Sequence, residues 1–267
     1  MKAIIVKIKK TSSQKVTYKL EIPKNLQKYF RKRTFSISYD TQISSDPALL
    51  SIPAISMVLP IAMVSKLPII SSCIDRNYLY SVNKLSEIIQ TMYPLLKFEG
   101  VHVSKVKDVK VNGSNIAIFY SGGVDSTALL LRHLQELPYL ITIRGSDIPI
   151  WDNVQWKNVK KLAKQTGELL NCSGNIFITF ENPLNLRMLG EDFREVLNSE
   201  DWWGKIQAGV TIPTLAAPLV DVLKLRRVYI ASDIPEKINI PWSDRSSIFN
   251  SLAFGDCEIK SDDGRKP

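Results

Sequence analysis

Six consecutive residues, Ser121-Gly122-Gly123-Val124-Asp125-Ser126, carry the clearest chemical capacity in this chain. They follow the apolar run Ile116–Ile118 and precede Thr127-Ala128-Leu129-Leu130-Leu131, an order that predicts strand, glycine turn and helix. Such a turn aims several backbone N–H groups and the positive end of a helix at one point, a setting that suits an anion and above all a phosphate. Gly122 and Gly123 let the backbone approach a ligand with no Cβ in the way, and the Ser121 and Ser126 hydroxyls add donors. Asp125 would repel a bare phosphate, so a Mg²⁺ ion is expected between its carboxylate and a nucleotide. A Walker A loop needs a Lys-Ser/Thr pair after its last glycine, and a nucleophile elbow needs a glycine two residues before its serine. Neither is present here. The plain alternative is an ordinary strand-to-helix turn capped by Asp-Ser.

The string Ser121–Ser126 resembles the SGGxDS signature of the PP-loop ATP pyrophosphatases, the adenine nucleotide alpha hydrolase-like superfamily. That superfamily includes GMP synthetase, NAD synthetase, asparagine synthetase, tRNA-lysidine synthetase and 7-cyano-7-deazaguanine synthase. The resemblance covers residues 114–254. It implies cleavage of ATP between the α- and β-phosphates, adenylation of a substrate oxygen, and displacement of AMP by a nucleophile. Arg144-Gly145-Ser146-Asp147, Asn185-Leu186-Arg187, Ala231-Ser232-Asp233 and Pro241-Trp242-Ser243-Asp244 are similar to a 7-cyano-7-deazaguanine synthase-like branch. Deazaguanine synthases share a four-cysteine zinc site, whereas this chain has only Cys73, Cys172 and Cys257 and no Cys-x-x-Cys. Zinc is therefore not expected.

The resemblance also implies roles. Ser121, Gly122, Gly123, Asp125 and Ser126 would hold the departing pyrophosphate, and Ile143, Arg144, Gly145 and Ser232 would contact the rest of the nucleotide, Arg144 and Gly145 through their backbone; Arg144 alternatively is a surface cation. Asp125 and Asp233 would share Mg²⁺; Asp233 alternatively caps a turn. Arg187 could grip a substrate carboxylate or neutralise charge on the α-phosphate, or it could pair with Glu191 one helical turn on. Lys205 is a further candidate for phosphate contact. Trp202 and Trp203 read as core residues, with a stacking lid as the alternative. His102 and His133, the only histidines, read as structural.

The elements that must position these residues are legible as alternating strand and helix from Asn115 onward. Apolar strands are expected at Ile116–Tyr120, Tyr139–Ile143, Ile176–Phe180 and Val228–Ala231. Helices are expected over Thr127–Glu136, Val154–Leu170 and part of Thr211–Lys224. Near-continuous apolar strands joined by helical crossovers imply a parallel sheet buried on both faces. The expected fold is α/β: a parallel, doubly wound, Rossmann-like sheet, of HUP type by the resemblance, preceded by a smaller α+β lobe. Ligands of such sheets sit beyond the carboxyl ends of the strands. Ser121–Ser126, Arg144–Asp147, Glu181–Arg187 and Ser232–Glu236 are thus expected to converge on one crevice.

Residues 1–110 are read as the amino-terminal lobe and 111–267 as the catalytic domain. Strands are expected at Ala3–Ile8, Lys15–Ile22, Thr34–Tyr39 and Pro68–Ile74, with a helix over Tyr78–Met92 and a strand or ribbon over Val101–Val111. Residues 1–34 hold eleven Lys and Arg against the single acid Glu21, so the remainder of a chain of net charge +9 is close to neutral. A lobe this basic could track a nucleic-acid backbone. The alternation of Val16, Tyr18, Leu20 and Ile22 with Lys15, Thr17, Lys19 and Glu21 equally describes a sheet with one wet side, and that reading is preferred. The uncharged stretch Pro47–Ser65 has the length of a membrane span, but Pro47, Pro53 and Pro60 point to a buried, kinked helix. Few cysteines and no secretory signal point to a reducing cytoplasm.

The function expected is that of an AMP-forming ligase using ATP and Mg²⁺. It would activate a carboxylate or carbonyl oxygen of a small molecule for amidation or a related nitrogen transfer, and the enzyme could be a homodimer. The alternatives are an RNA-modifying enzyme that uses the basic lobe and a nucleotide-binding interaction protein without turnover.

Overall fold

The computed structural model describes residues 2–232 and 240–262. Its first segment runs β1 (Ile4–Ser12), β2 (Lys15–Glu21), β3 (Thr34–Tyr39), α1 (Pro47–Ser65), β4 (Ile69–Asp75), α2 (Arg76–Met92) and β5 (Val101–Lys107). The alternating unit follows as β6 (Asn115–Phe119), α3 (Val124–Arg132), β7 (Tyr139–Arg144), α4 (Asn153–Leu169) and β8 (Gly174–Phe180). Short helices α5 (Leu186–Asp192), α6 (Arg194–Leu197) and α7 (Ala208–Thr211) lead to β9 (Leu225–Ile230). The chain then forms α8 (Ser246–Phe249), β10 (Ala253–Phe254) and β11 (Cys257–Ser261). Residues 212–219, within the stretch where a helix was expected, form a 3₁₀ segment; Pro213 and Pro218 withhold the N–H groups that an α-helix needs.

Among the described residues the strands make one eleven-stranded sheet in the order β10-β11-β9-β6-β7-β8-β3-β2-β1-β4-β5. The chain is thus α/β with a mixed, mostly parallel sheet. The segment β8-β7-β6-β9-β11 is parallel throughout and Rossmann-like in order. The wholly parallel sheet expected from the crossovers is corrected at β8, which pairs antiparallel with β3. Asp40 closes that joint by accepting from the Phe177 amide at 2.8 Å and donating its own N–H to Phe177 O. The segments before and after residue 110 therefore share one sheet.

Side chains of β6 divide with period two between two apolar layers. Ala117 and Phe119 join the larger core beneath α1 and α2, while Ile116, Ile118 and Tyr120 face Leu129, Leu130, Trp156 and Ala163 of α3 and α4. Helix α1 is buried along almost its whole length and is long and apolar enough to cross a membrane, yet it lies inside the protein. It starts on Asp46, whose carboxylate accepts from the Ala48 amide. Its prolines weaken the helix ladder, and outside side chains bond to the carbonyls three residues before each of them. Tyr18 Oη donates to Leu50 O at 3.0 Å, and Gln207 Nε2 donates to Met57 O at 3.2 Å.

The basic lobe has the wet side that its alternation predicts. Val16, Tyr18 and Leu20 are buried, whereas Lys7, Lys9 and Lys19 are exposed. Part of its charge is neutralised locally. Lys7 pairs with Glu21, Lys28 with Asp192 at 2.5 Å, and Lys32 with Glu181 at 2.8 Å.

Candidate functional site

Strand order reverses at β6. The chain moves from β6 out to β7 and β8, then returns to place β9 on the other flank of β6. Crossovers diverge at such a point and leave a crevice beyond the carboxyl ends of the two central strands. Residues 121–126 follow β6 directly and open into that crevice, a cleft of about 610 Å³.

The loop is ordered by its own hydroxyls. Ser126 is buried; its Oγ accepts from the Ser121 amide at 3.3 Å, lies 3.1 Å from Ser121 Oγ, and donates to Gly123 O at 3.1 Å. Ser121 Oγ accepts in turn from the Gly123 amide at 3.3 Å. Gly122 takes a φ of +82°, a conformation that disfavours any side chain. The first intrahelical-type bond is Thr127 N–H to Gly123 O, so the amides of Val124, Asp125 and Ser126 occupy the donor end of α3. Asp125 sits exposed in this first turn, lines the cleft, and forms no hydrogen bond or ion pair among the described residues. An oxygen donor beside a cradle of amides has the chemistry to hold Mg²⁺ against a phosphate. Asp233, the second expected ligand, lies outside the described residues, as do Glu236 and Lys237.

A second wall comes from β7 and the start of α4. Ile141, Ile143, Ile148 and Val159 make it apolar, with Asp147 and Gln155 at its polar edge. Gly145 turns the chain there. Its φ is +105°, its N–H donates to Ile148 O at 2.7 Å, and a Cβ on it would stand 1.8 Å from Phe180 O. Gly145→Ala is therefore expected to lower stability by about 3 kcal/mol, since strain and a backbone clash add. Denaturant unfolding with an unshifted midpoint would contradict this.

The third wall was the least legible. Trp203, Gly204, Ala208 and Gly209 line the cleft side by side with Trp242, Ser243 and Asp244. Residues 203–207 form a π-helical turn, a widened geometry often found at functional sites. Gly209 lets the two strips meet, because a Cβ there would stand 1.8 Å from Ser243 O. Ser243 ties them together: its Oγ donates to Gly204 O at 2.8 Å and accepts from the Gly209 amide at 3.0 Å. The adjacent tryptophans divide. Trp202 is core and donates to Gln207 Oε1 at 2.9 Å, while Trp203 lines the cleft. Paired small residues at 204 and 208–209, flanked by Trp203, were the available signal.

Four expected positions, Arg187, Arg144, Lys205 and Ser232, are not among the residues that line the cleft, and Arg187 takes the alternative named for it. Arg187 is not brought to the cleft. It stands on the outer face of α5, its side chain 84% exposed, bonded to Glu191 at 2.7 Å. The turn before it is drawn away because β3 flanks β8, and Glu181 accepts from the Ser36 amide and from Lys32. The Arg144 guanidinium is buried and turned to the start of α4, where it donates to Ile150 O and to Asn153 Oδ1 at 2.7 Å, the latter distance being that to Asn153. It orders the cleft wall; only its backbone reaches the strand end. Lys205 is not a lining residue either, and its ammonium lies 4.8 Å from the centre of the Trp242 ring. Ser232 donates to Asp244 O at 3.0 Å, and its neighbour Ala231 lines the cleft.

The free cysteines Cys73 and Cys257 are buried on β4 and β11, and Cys172 is partly buried. Among the described residues no three His, Cys, Asp or Glu side chains gather as a metal-binding group. Comparison with protein-family models, curated proteins and solved structures finds no match to this chain.

Proposed function

We propose that this chain cleaves ATP between the α- and β-phosphates and transfers AMP to a carboxylate or carbonyl oxygen of a small molecule, which a nitrogen nucleophile then attacks. The observation that supports this reading is the position of the Ser121–Ser126 loop at the reversal of strand order. Ser121, Gly123, Ser126 and the unengaged Asp125 all line one cleft.

In this reading the amides of residues 124–126 and the Ser121 hydroxyl hold the β- and γ-phosphates. The apolar wall of Ile141, Ile143 and Ile148 takes the adenine ring. The acceptor lies toward Trp203 and Trp242, across the cleft from the loop. Its oxygen attacks the α-phosphorus, the bond to the bridging oxygen breaks, and pyrophosphate leaves with the electron pair. Nitrogen attack on the adenylated carbon then expels AMP. Asp125, on the loop itself, would hold Mg²⁺, which when bound neutralises phosphate charge. The chain's own contribution is positioning and charge stabilisation, because no histidine lines the cleft among the described residues.

Product chromatography tests the proposal. Incubation with Mg-ATP and a panel of candidate acids and ammonia should give AMP and pyrophosphate in equal amounts, dependent on the acceptor. Accumulation of ADP and phosphate would overturn it. No turnover with any acceptor, alongside intact ATP binding, would favour a nucleotide-binding interaction protein.

A further inference from the structure

Helices α3 and α4 lie on the same side of the sheet, above Ile116, Ile118, Leu140 and Phe177. Each carries exposed apolar side chains among its outward polar ones. Val124 and Leu131 stand seven residues apart on α3, and Val154, Leu162 and Leu169 follow on α4; all are exposed, Leu169 to 84%. These spacings align each set along its own helix, giving two apolar ridges. Trp151, 76% exposed, extends the second ridge at its cleft end. Leu162 of the second ridge reaches the loop that opens α3: a Cβ on Gly122 would stand 3.0 Å from Leu162 Cδ2. Single exposed apolar residues are ordinary on protein surfaces, but a contiguous group marks a contact surface.

The far flank of α4 carries Lys157, Lys160, Lys161 and Lys164, none of them in an ion pair among the described residues. Lys160 and Lys164 lie over the rings of Trp156 and Phe177, at 5.6 and 5.9 Å from the ring centres. Their stems are anchored while the flank as a whole stays positive. This charge selects among occupants. A second copy docked with its two-fold axis across the helices would set lysines against lysines, which disfavours that arrangement. A nucleic acid would meet aliphatic Val and Leu side chains, which offer no stacking surface, with Trp151 the single exposed ring. We infer that the α3–α4 face docks an acidic, amphipathic helix of a partner protein, its apolar side between the ridges and its carboxylates over the α4 lysines.

The inference does not depend on the ATP chemistry and can be tested without nucleotide. The probe is a fluorescein-labelled helical peptide with leucine at helical spacing along one side and glutamate elsewhere, titrated with the full chain by anisotropy. Saturable binding is expected. Lys157→Glu with Lys161→Glu should weaken it by about tenfold or more, and so should Leu131→Ser with Leu169→Ser, since charge and apolar contact both contribute. Both variants change exposed residues and should keep the wild-type melting temperature. The inference fails if no peptide binds at low salt. It also fails if polyglutamate or oligouridylate of equal length competes as well as the peptide and the serine variant binds unchanged. Sedimentation showing a wild-type dimer that the serine variant dissociates would instead assign the face to a second copy of this chain.

Discussion

Replacing Asp125 with alanine is expected to abolish metal-dependent ATP binding and to reduce turnover by roughly a hundredfold or more, the scale of losing a central charge-stabilising group. The expectation rests on an asymmetry in the loop. Ser121, Gly123 and Ser126 are engaged with one another, whereas the Asp125 carboxylate lines the cleft with no partner among the described residues. A carboxylate left unpaired at the donor end of a helix adds little to the fold by contact, so the variant should melt within a degree or two of wild type. The separation of stability from function is the informative result. Asp125→Asn keeps the shape and removes the charge, and should resemble the alanine variant. Titration calorimetry showing equal Mg-ATP affinity for wild type and Asp125→Ala would remove the metal role. Loss of ATP affinity equally with and without Mg²⁺ would point to a direct contact instead.

The largest stability loss is expected far from the cleft, at Asp75. This carboxylate ends β4, is 0% exposed, and gathers three amides from separate parts of the chain. Oδ2 accepts from Tyr78 N at 3.0 Å and from Gly255 N at 2.9 Å, while Oδ1 accepts from Val109 N at 3.3 Å. It therefore caps α2, holds the strand exit after β5, and ties the β10–β11 turn to the amino-terminal lobe. Asp75→Ala would leave these donors buried without an acceptor, at a cost of about 4 kcal/mol. Asp75→Asn keeps one carbonyl oxygen and should cost less. Equilibrium unfolding in urea checks both, and an alanine variant within measurement error of wild type would show that water replaces the carboxylate.

The same carboxyl has a defined pH signature. Burial raises its pKa above the usual aspartate value, and its backbone donors only partly oppose that rise. The native state then holds a proton that the unfolded state has already released in the window between the two values. The contribution of Asp75 to stability is greatest below that window and declines as pH rises through it. In Asp75→Asn this component of the pH dependence should vanish.

Much of the architecture was readable because short-range rules govern it. Thr34–Tyr39 forms a strand with the bounds its alternation suggests, and the uncharged stretch Pro47–Ser65 is a buried helix, as its prolines implied. The strand, glycine turn and helix around Ser121–Ser126 follow from local propensity and from the conformational freedom of Gly122. Periodicity and turn chemistry act over a few residues, so one chain suffices to read them. Strand partners are chosen by surfaces distant in sequence. Nothing local in Thr34–Tyr39 or Gly174–Phe180 announces that they pair, yet that pairing fuses the two halves of the sheet and pulls Glu181 toward Ser36. For the same reason Arg187 remains on the outside with Glu191, and the Arg144 side chain is buried in the cleft wall. The cleft's third wall depends on Gly209 meeting Ser243 across thirty-four residues of chain. The sequence by itself determined the loop and the strand end that carries it. Only the tertiary structure decided which side chains share the cleft, because side-chain direction at a strand end is set by whatever packs beside that strand.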